Sequence, residues 1–260
     1  MLILVVGVGQ HVGKTKVVEE VAKCFKQSGF DVQVAKPLST LNAFHHEEAF
    51  RKLIEINEFV SYDVLRLRSV VETDENPKLL NPVFSLLLPI DLEAVDWNTL
   101  SLESPLFQTA VIRISTKKSE KVYVVEPVKR FVSSYYRMVE RILKEKEYSK
   151  LEIDEVDEIL LKGREETNRI LKELMRKYEV LVVESSGNLA YPNEASLEAD
   201  KVVVVTPGKY FACDGERYRK AAEVAGKFLY LRCEDVVEIL KPKMGYENIK
   251  NLIKTELLNH

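Results

Sequence analysis

The residues best suited to chemistry lie within the first fifteen positions of the chain, where a glycine-rich turn closes on Gly13-Lys14-Thr15. Glycines let backbone N–H groups crowd an anion, a lysine reaches the β- and γ-phosphates, and a threonine hydroxyl completes a Mg²⁺ shell. The turn runs from Gly7 to Thr15 and directly follows the apolar stretch Leu2 to Val6. The pattern predicts binding of a nucleoside triphosphate, with ATP and Mg²⁺ as the expected cofactors.

Two elements must flank such a turn, a buried strand before it and a helix after it. Residues 2–6 are apolar and partly β-branched, and residues 14–28 carry apolar side chains at helical spacing. Five residues separate Gly7 from Gly13 where the usual motif has four, so the flanking elements, more than the spacing, favour phosphate binding over a turn that only packs. The expected nucleotide-binding residues are Gly9, Gln10, His11, Val12, Gly13, Lys14, Thr15 and Lys16.

The rest of the chain alternates strand and helix patterns. Residues 31–35 have a strand pattern, and the apolar runs at 180–183 and 201–205 are typical of strands buried on both faces of a sheet. We therefore expect a doubly wound, mostly parallel α/β sheet whose ligands bind at the carboxyl ends of the strands. One domain should span 1–260, with an insertion at about 91–178 made of a hairpin and two amphipathic helices.

Two more residues that could take part in phosphate chemistry lie at the ends of predicted strands. Glu184 follows the strand 180–183 and could hold Mg²⁺ opposite Thr15, although a lone carboxylate after a strand is more often a cap or a solvated loop. Lys36 ends the second strand, expected beside the first, and could anchor an anionic substrate or stabilise charge on a transferring phosphoryl group. Lys14, Lys36 and Glu184 are thus the expected catalytic residues.

Composition excludes some classes of function. The chain has 260 residues, 46% of them hydrophobic, and a formal net charge of -3, which does not favour a nucleic-acid partner. No apolar run approaches the roughly 20 residues that span a bilayer, so we expect no membrane partner and a soluble, cytoplasmic protein. The three cysteines have no metal-site or disulfide spacing.

The histidines allow more than one interpretation. His11 lies inside the phosphate loop, where it could face the γ-phosphate, a partner subunit or solvent. His45 and His46 precede Glu47 and Glu48, which favours a solvated loop or a helix start over a metal site.

Five short motifs, in order, resemble those of the dethiobiotin synthetase family, within the P-loop class that also contains cobyrinic acid amide synthases and ParA-like ATPases. The motifs are residues 7–15, 36–40, 61–65, 81–84 and 182–189. The resemblance implies a three-layer P-loop NTPase architecture and a homodimer. It also implies an ATP-hydrolysing enzyme that transfers a phosphoryl group to a small anionic or carbamate substrate.

The resemblance also implies roles for particular residues. Thr15, Asp63 and Glu184 would bind or position the metal ion, and Lys36 with Ser39 would hold the substrate. Ser185 and Ser186 add hydroxyls where the family's backbone approaches its substrate, so they join the expected substrate residues. Gly9 stands where the family has a metal-binding aspartate, which keeps open a nucleotide-binding module without synthetase activity. A ParA-like regulatory ATPase is a second alternative, although that class usually has an earlier lysine in its P-loop and residues 8–12 contain none.

Overall fold

The computed structural model describes residues 1–9, 11–95, 105–226, 230–242 and 245–258, and it is an α/β fold. In chain order the described strands are β1 (Leu2–Gly7), β2 (Val32–Ala35), β3 (Leu38–Asn42), β4 (Val83–Leu87), β5 (Thr109–Ser115), β6 (Glu120–Val125), β7 (Ser149–Leu151), β8 (Val180–Glu184), β9 (Lys201–Thr206) and β10 (Lys209–Asp214). They form two five-stranded sheets, both of mixed direction.

The helices lie against the faces of these sheets. In chain order the described helices are α1 (Lys14–Gln27), α2 (Glu47–Ile56), α3 (Tyr62–Val71), α4 (Pro77–Leu80), α5 (Pro105–Gln108), α6 (Ser133–Leu143), α7 (Val156–Lys177), α8 (Gly215–Ala225), α9 (Cys233–Leu240) and α10 (Ile249–Leu252). Short 3₁₀ turns cover Val128–Arg130, Ile153–Glu155 and Glu194–Glu198, and a π-helical turn covers Ile253–Leu257.

The first sheet has the order β10-β9-β1-β8-β2, parallel except for the edge strand β10. Its central strand, β1, is fully buried. Alternate residues of β1 enter two separate cores: Leu2 and Leu4 face α7, α8 and α9, while Ile3 and Val5 face α1 and α3. Since successive strand residues point to opposite faces, this sheet is covered by helices on both sides.

The second sheet has the order β3-β4-β5-β6-β7, with antiparallel pairs at its centre and parallel pairs at both edges. One face packs against α2 and α6 through a core that includes Phe50, Phe84 and Ile142. The other face packs against the first turns of α7 through Val125, Leu151 and Val156. The hairpin predicted within 107–125 is present as β5 and β6.

Helix α7 connects the two sheets. Its N-terminal part packs on the second sheet at Val156, and its C-terminal part packs on the first sheet at Ile170 and Leu174. Between these parts lies Gly163, where an added Cβ would sit 2.8 Å from Cγ2 of Val83. The missing side chain therefore lets this helix lie close against β4.

Two expectations about the sheets are wrong. The sequence predicts one sheet with an inserted hairpin, whereas β3 and β4 join the hairpin in a sheet of their own. The sequence also predicts β2 beside β1, whereas β8 lies between them. The sequence predicts that the extended chain stops at Lys36 and Pro37. A proline keeps the residue before it extended, however, so the chain passes from β2 through Lys36 and Pro37 directly into β3.

Among the described residues, every helix is too short or too polar to cross a bilayer.

Candidate functional site

The loop between β1 and α1 takes a path that depends on its glycines. Gly13 adopts a left-handed backbone with φ of 89°. At Gly7, an added Cβ would lie 2.6 Å from Cγ2 of Val12 and 3.0 Å from Cδ of Lys14. A side chain would be strained at the first position and would clash at the second, so the glycine spacing shapes this loop.

This loop, hereafter the phosphate loop (residues 7–13), leads into an open helix N-terminus. Gly13 precedes α1, no side chain among the described residues caps it, and its first turn carries no acidic residue. The free N–H groups and the positive end of the helix dipole favour an anion at this position. The geometry therefore suits a phosphate group.

Lys14 is buried beneath the phosphate loop, with 7% of its surface exposed. Its Nζ donates a hydrogen bond to the carbonyl oxygen of Gly187, at 2.5 Å, in the loop after β8. Burial lowers the pKa of Lys14, and the Glu184 carboxylate opposes that shift. The ammonium is hydrogen-bonded to a neutral carbonyl, so a phosphate oxygen would give it an anionic hydrogen-bond partner.

Glu184 lies at the carboxyl end of β8 and is 1% exposed. Its Oε1 accepts hydrogen bonds from Oγ1 of Thr15 at 3.0 Å and from Nζ of Lys36 at 2.8 Å. Its Oε2 is buried and has no hydrogen-bond partner among the described residues. The predicted meeting of the loop threonine with this strand-end carboxylate is therefore found, together with one carboxylate oxygen that lacks a donor.

Lys36 lies between two carboxylates. Its Nζ is 2.8 Å from Oε1 of Glu184 and 2.5 Å from Oδ2 of Asp63, near the start of α3. Burial would lower the pKa of Lys36, but the two carboxylates outweigh burial and raise it. Burial would likewise raise the pKa of Asp63, but Lys36 lowers it. The three groups thus form an ion cluster beside Thr15.

Asn81 holds the backbone on which this ion cluster depends. Its Nδ2 donates to the carbonyl oxygen of Lys36 at 2.9 Å. Its Oδ1 accepts from the N–H of Ser61, the residue before α3, at 3.1 Å. One buried amide therefore fixes both the end of β2 that carries Lys36 and the start of the helix that carries Asp63.

A buried arginine from the second sheet supports Asn81. Arg113, on β5, is 0% exposed and donates to Oδ1 of Asn81 at 3.2 Å. Its remaining donors reach the carbonyl oxygens of Phe59 and Pro82 and the hydroxyl of Ser115. Burial lowers the pKa of Arg113 to about 10. Arg113 is not among the residues predicted from the sequence, although a lone arginine within the apolar run of β5 is a signal of a buried charge.

Two of the predicted substrate serines use their hydroxyls within the protein. Ser39 donates to Oδ1 of Asn81 at 3.1 Å, and Ser185 donates to the carbonyl oxygen of Leu189 at 2.7 Å. Both are buried, whereas Ser186 is half-buried in the loop after β8. Their role toward a substrate remains a prediction.

A carboxylate that is not among the predicted site residues lies against the phosphate loop. Glu234, in the first turn of α9, accepts a hydrogen bond from the N–H of Gly9 at 2.8 Å. The side-chain amide of Asn188 lies 3.3 Å from its Oε2. A negative charge is therefore held beside the loop predicted to bind phosphate.

The other predicted loop residues are placed as follows. Val12 packs against the core on the α1 side of the first sheet, and Lys16 is exposed on α1. His11 is exposed, and its ring lies 5.0 Å from that of His46, measured between centroids. Gln10 lies outside the described residues. His46 directly precedes α2, so the helix start predicted near it is found.

Within the described ranges, no three His, Cys, Asp or Glu side chains are grouped closely enough to hold a metal ion. A metal here would therefore need oxygen ligands from a bound phosphate, a hydroxyl or water in addition to carboxylates.

Comparison with known proteins gives no match: no family model, no curated protein and no solved structure matches this chain. The likeness to the dethiobiotin synthetase family therefore remains a hypothesis that rests on its short motifs.

Proposed function

We propose that the protein is a Mg²⁺-dependent enzyme that binds and hydrolyses ATP and transfers the terminal phosphoryl group to a small anionic or carbamate substrate. The observation that carries the proposal is the buried carboxylate of Glu184, whose Oε1 meets Thr15 and Lys36 while its Oε2 lacks a hydrogen-bond donor. A buried, unpaired carboxylate oxygen is costly. A bound cation would satisfy it.

The donor set fits Mg²⁺. This ion prefers oxygen ligands and usually takes one or two from the protein, the rest coming from phosphates and water. The hydroxyl of Thr15 and the carboxylate of Glu184 would supply them, with Asp63 as a further carboxylate when Lys36 turns toward substrate. When bound, Mg²⁺ would neutralise charge on the β- and γ-phosphates.

The phosphate loop supplies the remaining positive potential. The free amides at the start of α1 and the buried ammonium of Lys14 would bind phosphate oxygens. The loop also follows the central strand of the first sheet, at the carboxyl end where open α/β sheets bind ligands. These features support a three-layer P-loop architecture for the first sheet and its helices.

Lys36 would bind the substrate that accepts the phosphoryl group. Its ammonium lies next to Glu184 and would anchor an anionic acceptor in line with the terminal phosphate. The acceptor oxygen would bond to the γ-phosphorus as the bond to the bridging oxygen breaks, and ADP would leave with that electron pair. Asn81 and Arg113 would hold Lys36 in this position through its backbone.

The test is the rate of ATP hydrolysis with Mg²⁺, measured with and without diaminopelargonate plus bicarbonate. Strong stimulation by both supports a synthetase. Slow turnover that a small acceptor does not change supports the regulatory ATPase, and binding without turnover supports the nucleotide-binding module.

The variant Lys14→Ala should lose nucleotide binding. Lys23→Ala provides the matched control, since this lysine is exposed on the same helix. Equal nucleotide binding by the two variants would refute the proposal.

A further inference from the structure

Two imidazoles from different sheets face each other at the edge of the candidate site. His11 belongs to the phosphate loop, and His46 follows β3 of the second sheet. Their ring centroids are 5.0 Å apart with the planes tilted by 52°. Among the described residues, no hydrogen bond joins either ring to another side chain. Both rings therefore have free nitrogen atoms.

The backbone on both sides presents these rings. His11 has φ of 58°, a left-handed conformation that is uncommon for a residue with a side chain. On the other side, Oδ1 of Asn42 accepts hydrogen bonds from the N–H groups of Phe44 and His45. This turn leads the chain to His46 at the start of α2. Both loops are therefore shaped locally to bring an imidazole to this position.

Charged groups of both signs surround the two rings. The charged groups that shift the pKa of His46 are His11, His45, Lys36 and Asp63. Glu47 and Glu48 follow it in the first turn of α2. Burial lowers the pKa of His46, and the positive charges of His11 and His45 lower it further. Asp63, which opposes this shift, is itself paired with Lys36. Both rings becoming charged would thus be unfavourable unless an anion lay between them.

We propose that His11 and His46 together bind a phosphate dianion at the outer side of the site and take up a proton when they do so. The dianion comes either from the terminal phosphate of the nucleotide or from a phosphorylated acceptor. The inference rests on the proposed function, since it assigns a ligand to the same site. It adds a binding residue from the second sheet, His46, that no motif indicates.

The experiment is calorimetric titration of the full chain with Mg²⁺ in buffers of different ionisation enthalpy near pH 7. The probes are ADP, the non-hydrolysable analogue AMPPNP, and orthophosphate added to the ADP complex. The variants are His11→Gln and His46→Gln, with His45→Gln as the control because His45 is exposed and adjacent. Each of the first two variants should weaken binding of the probe that contacts the pair about tenfold.

The outcomes separate the two sources of the dianion. Proton uptake with AMPPNP and none with ADP assigns the pair to the terminal phosphate. Uptake only when orthophosphate joins the ADP complex assigns it to the acceptor. In either case both glutamine variants should lose the uptake and His45→Gln should retain it. Uptake that is absent with every probe, or unchanged in both variants, overturns the inference.

A second measurement separates this inference from the proposed function. Orthophosphate alone is titrated into the protein, and the NMR signals of the histidine rings are followed against pH, with assignments from the variants. If nucleotide does not bind but phosphate raises the pKa values of His11 and His46, the pair binds a phosphate dianion and only the proposed function fails. If phosphate changes neither pKa and nucleotide does not bind, both fail.

Discussion

Thr15, at the start of α1, donates a hydrogen bond to Glu184, at the end of β8, with 3.0 Å between Oγ1 and Oε1. The two residues are positioned by neighbouring parallel strands of the first sheet, since β1 leads into α1 and β1 pairs with β8. The separation of hydroxyl and carboxylate is therefore set by sheet register.

The variant Glu184→Gln should lose Mg²⁺-dependent ATP hydrolysis by at least about 100-fold, because it keeps the hydrogen-bonding shape of the side chain but removes its charge. Nucleotide binding in EDTA should change little. Steady-state kinetics and titrations with and without Mg²⁺ measure both effects. Glu238→Gln, at an exposed position of α9, is the control. Wild-type hydrolysis by Glu184→Gln would remove the metal role from this carboxylate.

The variant Lys36→Met should destabilise the protein by about 3–5 kcal/mol, because it leaves the carboxylates of Asp63 and Glu184 without their cation. Urea denaturation measures the loss. Millimolar Mg²⁺ should restore part of it, since a divalent ion can replace the ammonium. Lys23→Met should leave the unfolding curve unchanged. A stable Lys36→Met variant that is indifferent to Mg²⁺ would contradict the charge balance described here.

The ion pair of Lys36 and Asp63 should weaken when the pH falls well below neutral, and it should not weaken when the pH rises to about 9. Lys36 lowers the pKa of Asp63 from its ordinary value of 3.8, so the stability that Asp63 contributes is present above that value and is lost as pH falls through the lowered pKa. The pKa of Lys36 is raised above 10.5, so its contribution persists below that pH.

The measurement is the difference in free energy of unfolding between the wild type and Asp63→Asn. It should be constant between about pH 5 and 9 and shrink below about pH 4. A difference that shrinks between about pH 6 and 7 would assign the effect to a histidine instead.

The variant Arg113→Met should lower both stability and hydrolysis, although Arg113 lies in the second sheet. It removes the donors of four buried acceptors, one of which is Asn81, and should cost about 2–4 kcal/mol. Arg130 is a matched control: it is 2% exposed and donates to carbonyl oxygens of Val125 and Thr109, which are not part of the candidate site.

Both arginine variants should therefore unfold earlier in urea. When assayed at a temperature at which both remain folded, only Arg113→Met should have a reduced kcat, because only Arg113 reaches the backbone of Lys36 through Asn81. An equal reduction in the two variants would assign Arg113 to stability alone.

The variant Glu234→Gln should bind nucleotide about 2- to 10-fold more tightly, because Glu234 holds a negative charge against the N–H of Gly9 in the phosphate loop. The gain should shrink at high salt, since partly exposed charges are screened. Titrations at two ionic strengths measure it, with Glu238→Gln as control. Weaker binding by Glu234→Gln would mean that the carboxylate contacts the nucleotide.

The strand ends were predictable and the second sheet was not. Lys36 and Glu184 are far apart in the chain, yet both follow apolar strand patterns, and parallel strands bring their carboxyl ends together. The pattern of β3, in contrast, mixes polar with apolar residues and begins just after Pro37, where a strand is expected to end. Strand order also escaped prediction, because apolar runs of equal length do not specify their neighbours.

Two site residues outside the short motifs, Glu234 and His46, were not predicted from the sequence. In the sequence, Glu234 is indistinguishable from an ordinary first-turn carboxylate of α9, since acidic residues are common in the first turn of a helix. The sequence around His46 indicates only a solvated loop or the start of a helix. Its contact with His11 depends on how the second sheet lies beside the first. Contacts of this kind follow from tertiary packing rather than from local pattern.

Only Lys36 and Pro37 lie between β2 of the first sheet and β3 of the second, so the two sheets are joined directly beside the candidate site. Relative displacement of the sheets would pull the ammonium away from Glu184, so a mechanical change in one half of the molecule would alter the electrostatics of the other. Excising 38–151 to obtain a minimal nucleotide-binding fragment would also remove α3 and Asp63, and should therefore change the charge balance around Lys36 that the fragment was meant to preserve.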